Sequence, residues 1–318
     1  TNEKQWILPG ALGGHNWQAM SFDPELGLVF IPEQKSTTIY KMTEEWQQTG
    51  KIKYKAKSWN TGIEIAKYLD LALTTLDAPI GTGSLKAFNP ISGKTEWEVK
   101  YPQHWNGGTL STKSGITFQG NGMGFLNAFD SATGEILWSK DIQTSMIAPP
   151  ISYKIKNEQY IVILAGTGGG NNHGGDTLGF HTEHMASLKY GNEGRLLAFK
   201  INGKGILPRL DLVDRTIPEQ PKIISTEFEI SRGKELYGEY CAFCHGTAVR
   251  SGPALPDLRM MSNDSHELFN EIVYNGIYSE NGMTAFSDVI SKNDVNNIYH
   301  YIVNTAKSDR KTQQSIKP

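Results

Sequence analysis

Three residues in the last third of the chain have the types and spacing of a cofactor attachment site. Cys241 and Cys244 are separated by two residues, His245 follows at once, and the chain has no other cysteine. In a Cys-x-x-Cys-His run each thiol can add to one haem vinyl group, while the histidine lies under the iron as proximal ligand. We therefore predict a covalent c-type haem on Cys241 and Cys244, with His245 as an axial ligand.

Three other uses of the two cysteines are a redox pair, half of a zinc site and a disulfide. A redox Cys-x-x-Cys would be expected in a βαβ setting, and zinc would need a second pair of ligands at metal spacing. The sequence around Cys241 and Cys244 shows neither pattern. Haem attachment is the use that the adjacent histidine favours.

Haem iron in an electron carrier needs a second strong axial ligand, and methionine is the usual partner of histidine. The candidates after His245 are Met260, Met261 and Met283. The first two lie in a segment that must first round the haem edge, whereas Met283 lies in a loop between two predicted helices. We favour Met283, although any methionine is also a common core filler.

The residues around the motif follow a helical period. Residues 229–240 are predicted as a helix leading into the motif, and residues 266–274 place their apolar side chains on one face. Ser291 with Asp294 resembles a capping box before a third helix. These elements form a predicted all-α domain at 229–306. The polar, basic tail at 307–318 is expected to be disordered.

The first two hundred residues contain a repeat of strand-like segments. Residues 85–97 align with residues 126–138, and the two alanines, glycines and tryptophans are each offset by 41 residues. That period suits a four-stranded β-propeller blade. In both copies an Asx-x-x-Ser/Thr-Gly step predicts a tight hairpin, and the tryptophan that follows can lie between neighbouring blades. Two unrelated hairpins with the same turn chemistry are the alternative.

A third, weaker copy at 196–203 lacks the tryptophan, so residues 1–205 are predicted to hold about three blades. Insertions at about 33–80 and 167–193 interrupt them, and loops of that length are usually functional. Three blades cannot close a ring, because propellers have at least four. We expect the first blades to lie upstream of Thr1 or on another chain. A proline-punctuated linker is predicted at 206–228.

Composition restricts the class of protein. The net charge of −2 and the 20% of charged residues do not suggest nucleic acid or an anionic membrane surface, and no apolar run is long enough for a bilayer span. The chain starts at Thr1 without a signal region, so we expect a removed signal or a missing start. The haem motif makes the bacterial periplasm the expected compartment.

Two resemblances cover nearly the whole chain. The C-terminal hundred residues resemble a class I cytochrome c, through residues 238–246, Gly252-Pro253 and residues 282–286. The first two hundred resemble the last blades of quinohaemoprotein alcohol dehydrogenases, which bind pyrroloquinoline quinone (PQQ), through residues 13–24, 105–110 and 160–166 and the repeat. The resemblance implies about three blades of an eight-bladed all-β propeller, followed by an all-α cytochrome c domain.

The resemblance also implies a function. In that family PQQ and a calcium ion lie near the propeller axis, and an alcohol is oxidised by hydride transfer to the quinone with an aspartate base. Electrons leave singly through the haem to an external acceptor such as a cytochrome, a copper protein or a quinone. The resemblance implies that Asn16 and Trp17 lie in a loop that faces PQQ. From the residues alone, Asn16 is equally expected in a turn and Trp17 in a core.

Two departures limit what this chain can do by itself. The family's vicinal cysteine pair is absent, and the segments with the calcium-binding glutamate and the catalytic aspartate would lie upstream of Thr1, so no catalytic base is assigned. We therefore expect the C-terminal part of a PQQ- and haem-dependent alcohol dehydrogenase. The alternative is a cytochrome electron carrier with a non-catalytic, propeller-like docking domain.

Two weaker signals lie near the second insertion. Residues 161–170 resemble a dinucleotide-binding turn, but Asn171 replaces the next glycine of that motif. Three histidines follow, without a convincing carboxylate or thiol, so a polar loop is favoured over a metal site: His173, His181 and His184. Asp176, His181 and Glu183 would contact substrate if this loop covers the active-site mouth.

Overall fold

The structure is a computed structural model that describes residues 3–10, 13–35, 37–64, 82–167, 185–251 and 255–316. Its strands lie between Gln5 and Phe199, and its longer helices lie between Glu227 and Ile316. This order confirms the predicted fold class, a β-propeller portion followed by a helical domain. Several predicted features lie outside the described residues: Gly252-Pro253, His173, Asp176, His181, Glu183 and His184. Within the described ranges, no helix combines the length and apolarity that a membrane crossing requires.

Among the described residues, three antiparallel sheets of three or four strands form most of the strand region. The first has the order β2-β3-β5-β6, with β2 at Ser21–Asp23, β3 at Leu28–Lys35, β5 at Thr82–Asn89 and β6 at Lys94–Tyr101. The second runs in sequence through β7 (Asn106–Thr112), β8 (Ile116–Asn121), β9 (Phe125–Asp130) and β10 (Ile136–Asp141). The third contains β11 (Ile151–Ile155), β12 (Glu158–Ala165) and β13 (Arg195–Phe199). A separate pair joins β1 (Gln5–Ile7) to β4 (Thr38–Tyr40).

The two sequence repeats fold alike. Ala87 pairs with Trp97, and Ala128 pairs with Trp138, so each repeat contributes the third and fourth strands of its sheet in the same register. In the first hairpin the Asn89 side chain accepts hydrogen bonds from two backbone amides, and in the second Asp130 does the same. The predicted Asx turns and the matching blades are therefore confirmed.

The tryptophans of the repeat join one sheet to the next. Trp97 of β6 donates from Nε1 to the carbonyl oxygen of Ser131, in the hairpin of the second sheet. Trp138 of β10 packs edge-to-face on Phe199 of β13, with 5.5 Å between ring centroids. Buried aliphatic side chains, among them Leu85 and Leu126, fill the space inside the sheets. The predicted wedge role of both tryptophans is confirmed.

The described ranges contain six α-helices with the following bounds: Glu44–Thr49 (α1), Ala186–Tyr190 (α2), Glu227–Tyr240 (α3), Ala242–His245 (α4), Asn263–Glu267 (α5) and Lys292–Ile316 (α6). Helix α3 starts two residues before the predicted position, because Thr226 and Glu229 form a reciprocal capping box. The predicted capping box of Ser291 and Asp294 opens α6.

The helix predicted at 266–274 differs in the structure. It begins earlier, as α5 at Asn263, because the Ser262 side chain caps it, and it then passes into a π-helical turn at Glu271–Asn275. Helices α3 and α6 form the centre of the domain. They cross closely at Gly233, where a Cβ atom would collide with the carbonyl oxygen of Asn297.

The expectation of a disordered tail is wrong for residues 307–316, which continue α6. Asp309 accepts hydrogen bonds from Arg250 at 2.9 and 3.0 Å and from Arg259 at 2.9 Å. Gln313 contacts the otherwise extended segment before α3: its Oε1 accepts from the amide of Ile217 and its Nε2 donates to the carbonyl oxygen of Arg215. These side-chain contacts hold the polar end of the helix in place.

Candidate functional site

Helix α3 leads directly into the candidate haem-attachment turn. The Cys241 amide donates to the carbonyl oxygen of Tyr237 at 2.9 Å and so continues the helical hydrogen bonding of α3. The amides of Cys244 and His245 then both donate to the carbonyl oxygen of Cys241, at 3.1 and 2.9 Å. One compact turn, α4, therefore brings the three predicted residues together. Both thiols are free, with Cys241 buried and Cys244 exposed.

Burial controls the protonation of the two thiols. It raises the pKa of Cys241 to about 12, with a smaller contribution from Cys244, and the partial desolvation of the more exposed Cys244 also raises the pKa of that thiol. Both groups are neutral thiols at neutral pH, whereas a redox-active pair needs a lowered thiol pKa. The microenvironment therefore argues against the redox alternative and leaves both sulfur atoms available for thioether bonds.

His245 is oriented by a hydrogen bond from one side of its ring. Its Nδ1 lies 3.0 Å from the carbonyl oxygen of Pro256, the contact that a ring N–H makes as donor. This leaves Nε2 for a metal, the arrangement that fixes the tautomer of metal-ligating histidines. Burial lowers the His245 pKa and so favours the neutral form that can ligate a metal. The contact with Pro256 acts in the opposite direction. Cys241, Cys244 and His245 thus fit a covalently held haem.

The three candidate axial methionines all lie in the helical domain. Met283 follows the short turn Ser279–Asn281, and its amide donates to the carbonyl oxygen of Tyr278 at 3.1 Å. Its half-buried side chain packs against the apolar cluster of the helical domain, and so does that of Met261. Met260 closes the 3-10 turn Leu258–Met260. Met283 as the ligand stays a prediction.

Asn16 and Trp17 both lie at the surface of the described strand region. Trp17 is 57% exposed and so does not belong to the core of the described strand region. Its ring lies 6.0 Å from the ring of buried Trp105, and it borders an open depression of about 430 Å³ with Ile147 and Asn192. An exposed indole beside a depression is suited to contact a planar ligand, and the assignment of PQQ to it stays a prediction.

Behind Trp17 lies a buried polar group that sequence reasoning missed. His104 is 1% exposed, and its ring is 5.5 Å from that of Trp105. Within the part of the chain that the structure describes, both ring nitrogens of His104 and the indole nitrogen of Trp105 lack a hydrogen-bond partner. Burial lowers the His104 pKa to about 4. His104 is part of no motif with a recognisable spacing, so the sequence alone does not point to it.

A cluster of three or more histidine, cysteine, aspartate or glutamate residues suited to a metal ion does not occur among the described residues. The calcium site that the resemblance implies therefore has no candidate in these ranges.

Comparison with protein families assigns the strand region. Residues 1–161 match the model for the glucose/ethanol/alcohol dehydrogenase β-propeller domain that binds PQQ. The chain belongs to the PQQ dehydrogenase family. Residues 228–302 of this family member match a second model, the cbb3-type cytochrome c oxidase subunit III family, which supports the cytochrome character of the helical domain and its haem c.

Curated relatives of this PQQ dehydrogenase family member combine the same two parts. It is 34% identical over 320 residues to quinohemoprotein alcohol dehydrogenase ADH IIB of Pseudomonas putida, a match that covers 99% of this chain and 44% of the relative. It is also 34% identical to the lupanine 17-hydroxylase [cytochrome c] of a Pseudomonas species, over 98% of this chain and 41% of that protein. The chain thus spans less than half the length of these relatives.

Solved structures show the same correspondence. The structure of ADHIIG from Pseudomonas putida matches with a TM-score of 0.84 at 29% identity, covering 98% of this chain and 44% of that one. The quinohemoprotein alcohol dehydrogenase of Comamonas testosteroni matches with a TM-score of 0.75 at 27% identity, over 99% of this chain and 43% of that chain. The arrangement of the three sheets and the helical domain is therefore that of the corresponding part of these enzymes.

Proposed function

We propose that this chain is the electron-transferring C-terminal part of a periplasmic quinohaemoprotein alcohol dehydrogenase. The observation that carries the proposal is the union, in one chain, of a PQQ-propeller match at 1–161 with a Cys-x-x-Cys-His turn inside the cytochrome match at 228–302. A propeller match alone would leave the electron exit unspecified, and the haem motif alone would leave the electron source unspecified.

In this proposal the chain's own residues have separate tasks. Cys241 and Cys244 would hold the haem covalently, and His245, fixed by its contact with the carbonyl oxygen of Pro256, would ligate the iron together with Met283. Asn16 and the exposed Trp17 ring contribute to one wall of the quinone site. When bound, PQQ supplies the hydride acceptor and haem the one-electron carrier.

The remaining parts of the site are assigned to the longer protein. The relatives are more than twice as long as this chain, and we propose that the upstream blades supply the calcium ligands and the aspartate base. A small alcohol is the substrate, and an external one-electron acceptor is the partner. The proposed units of this chain are the partial propeller at 1–205, the linker at 206–228 and the cytochrome domain from 229.

An assay of the full-length gene product tests the proposal. We expect alcohol-dependent reduction of an artificial dye that requires both PQQ and calcium, together with haem that stays on the polypeptide under denaturing conditions. Covalent haem without any alcohol-dependent dye reduction would favour the electron-carrier alternative. Absence of covalent haem would contradict both.

A further inference from the structure

A self-closed arm projects from the strand region inside the first insertion. It comprises residues 41–64 and follows β4. Its base is closed by hydrogen bonds from the Thr43 amide to the Gly62 carbonyl oxygen and from the Glu64 amide to the Lys41 carbonyl oxygen, both 2.9 Å. Its tip is closed by Asn60, whose side-chain oxygen accepts from the Lys55 amide at 2.8 Å. The arm therefore has a defined shape of its own.

One side of the arm tip contacts the haem-attachment turn. Lys55 Nζ lies 2.8 Å from Oε1 of Glu239, which precedes Cys241 by two residues, and Ser58 Oγ donates to the same oxygen at 3.1 Å. The Trp59 ring packs edge-to-face on Phe243, with 4.8 Å between centroids. Phe243 lies between the two cysteines of the motif.

The other side of the tip contacts the loop that carries the predicted second ligand. Lys57 Nζ donates to the carbonyl oxygen of Ala285 and to Oδ1 of Asp288, both at 2.5 Å. The same nitrogen lies 5.5 Å from the centre of the Phe286 ring. Ala285 follows Met283 by two residues. The arm thus bridges the two segments in which the haem ligands are predicted, and it belongs to the strand region on which a quinone would be bound.

We propose that residues 41–64 form an intramolecular docking element. It holds the haem-attachment turn and the Met283 loop in one position relative to the propeller, and so sets the distance over which the haem receives electrons. Trp59, Lys55 and Lys57 are positioning residues in this proposal, which rests on the proposed quinone and haem function.

The contacts explain why both an aromatic ring and charges are needed. Exposed ion pairs are individually weak and are screened by salt, so two lysines alone would hold the domain only loosely. The aromatic contact adds a short-range component that salt does not screen. Lys53 offers a matched control, because it carries the same charge on the same arm and makes no ion pair within the described ranges.

Hydrogen exchange of the full-length, haem-loaded protein tests docking without relying on activity. Compared with wild type, both K55E/K57E and W59A should accelerate amide exchange in residues 51–62. For W59A, which removes the aromatic contact, the expected acceleration is about two- to tenfold. K53E should leave this exchange within about twofold of wild type. The charge swap K55E/K57E/E239K/D288K should restore protection in part, because it replaces both ion pairs but not the hydrogen bond from Lys57 to the carbonyl oxygen of Ala285. Trp59→Phe should likewise keep protection that Trp59→Ala loses. Equal amide-exchange rates in K55E/K57E and K53E would contradict the proposal that the arm docks.

Rapid mixing with alcohol tests the consequence for electron transfer. In the same variants, haem reduction should slow severalfold while direct transfer from the quinone to a small dye is unchanged. Unchanged haem reduction in every variant would overturn the role in electron entry while leaving the proposed function intact. If wild type fails to reduce its haem or the dye with alcohol, the proposed function and the role in electron entry fail together, and the exchange experiment alone decides whether the arm docks.

Discussion

Trp97 lies directly against the Gly134 hairpin: a Cβ atom placed on that glycine would approach the indole ring to 2.7 Å. The same indole donates to the carbonyl oxygen of Ser131 at 3.1 Å. The two residues occupy the last strand of one sheet and the turn of the next, so this contact defines the spacing between adjacent blades. Gly134 also has φ of +77°, a conformation that glycine adopts without steric cost.

Gly134→Ala should therefore destabilise the chain more than the equivalent change in the first repeat. Gly93 occupies the same turn with φ of +70°, and a Cβ there meets no atom of the described chain within 4 Å. Left-handed backbone strain alone should cost about 1–2 kcal/mol at either position. The clash with Trp97 should add about 1–3 kcal/mol at Gly134 only. Urea unfolding of both variants measures the difference, and equal losses would contradict the proposed contact.

His104 should make the folded chain sensitive to acid. Burial lowers its pKa from 6.5 to about 4, so the unfolded chain takes up a proton at a higher pH than the folded chain. Its full contribution to stability is present above pH 6.5 and is lost as the pH falls towards 4. At about 1.4 kcal/mol per pKa unit, the loss approaches about 3 kcal/mol. Urea midpoints from pH 7.5 to 4.5 should fall more steeply for wild type than for His104→Leu. Parallel profiles for the two proteins would contradict the burial of a neutral His104.

Asp309 should stabilise the end of α6 through its two arginines. Burial acts to raise its pKa, but Arg250 and Arg259 together hold it below the ordinary value. The stabilisation is present above that ordinary value and is lost as the pH falls through the lowered one. At pH 7, Asp309→Asn should cost about 1–3 kcal/mol, because among the described residues Asp257 is then the one acidic partner left to the Arg259 side chain. The matched change Asp211→Asn, at an exposed position, should cost less than about 0.5 kcal/mol. Similar unfolding midpoints for both variants would show that the contacts of Asp309 with the two arginines contribute little to stability.

Met283→Ala should abolish the far-red absorption band that arises from sulfur-to-iron charge transfer while leaving the haem covalently bound. The reason is that Cys241 and Cys244 hold the haem independently of the sixth ligand. Met261→Ala provides the control, because Met261 also packs against the helical core. Loss of the band in Met261→Ala and its survival in Met283→Ala would move the ligand assignment to Met261.

The parts that sequence predicted well depend on local patterns. Turn residues such as Gly93 and Gly134 and the tryptophans at a fixed offset specify hairpins and blade contacts, and the Cys-x-x-Cys-His run specifies a single turn. The helical tail was missed, because its stability comes from Arg250 and Arg259, far away in sequence. The contact of Trp59 with Phe243 joins residues 184 positions apart. No period or spacing in a single sequence reports such a pair.

Anaerobic rapid mixing of the full-length, oxidised protein with a primary alcohol shows whether electrons from the alcohol reach the haem of this chain. The haem spectrum is followed in the presence of PQQ and calcium and in the absence of any external acceptor. We predict haem reduction that requires both PQQ and calcium and is lost in Cys241→Ala/Cys244→Ala. A haem that stays oxidised under these conditions, although dithionite reduces it, would contradict the account.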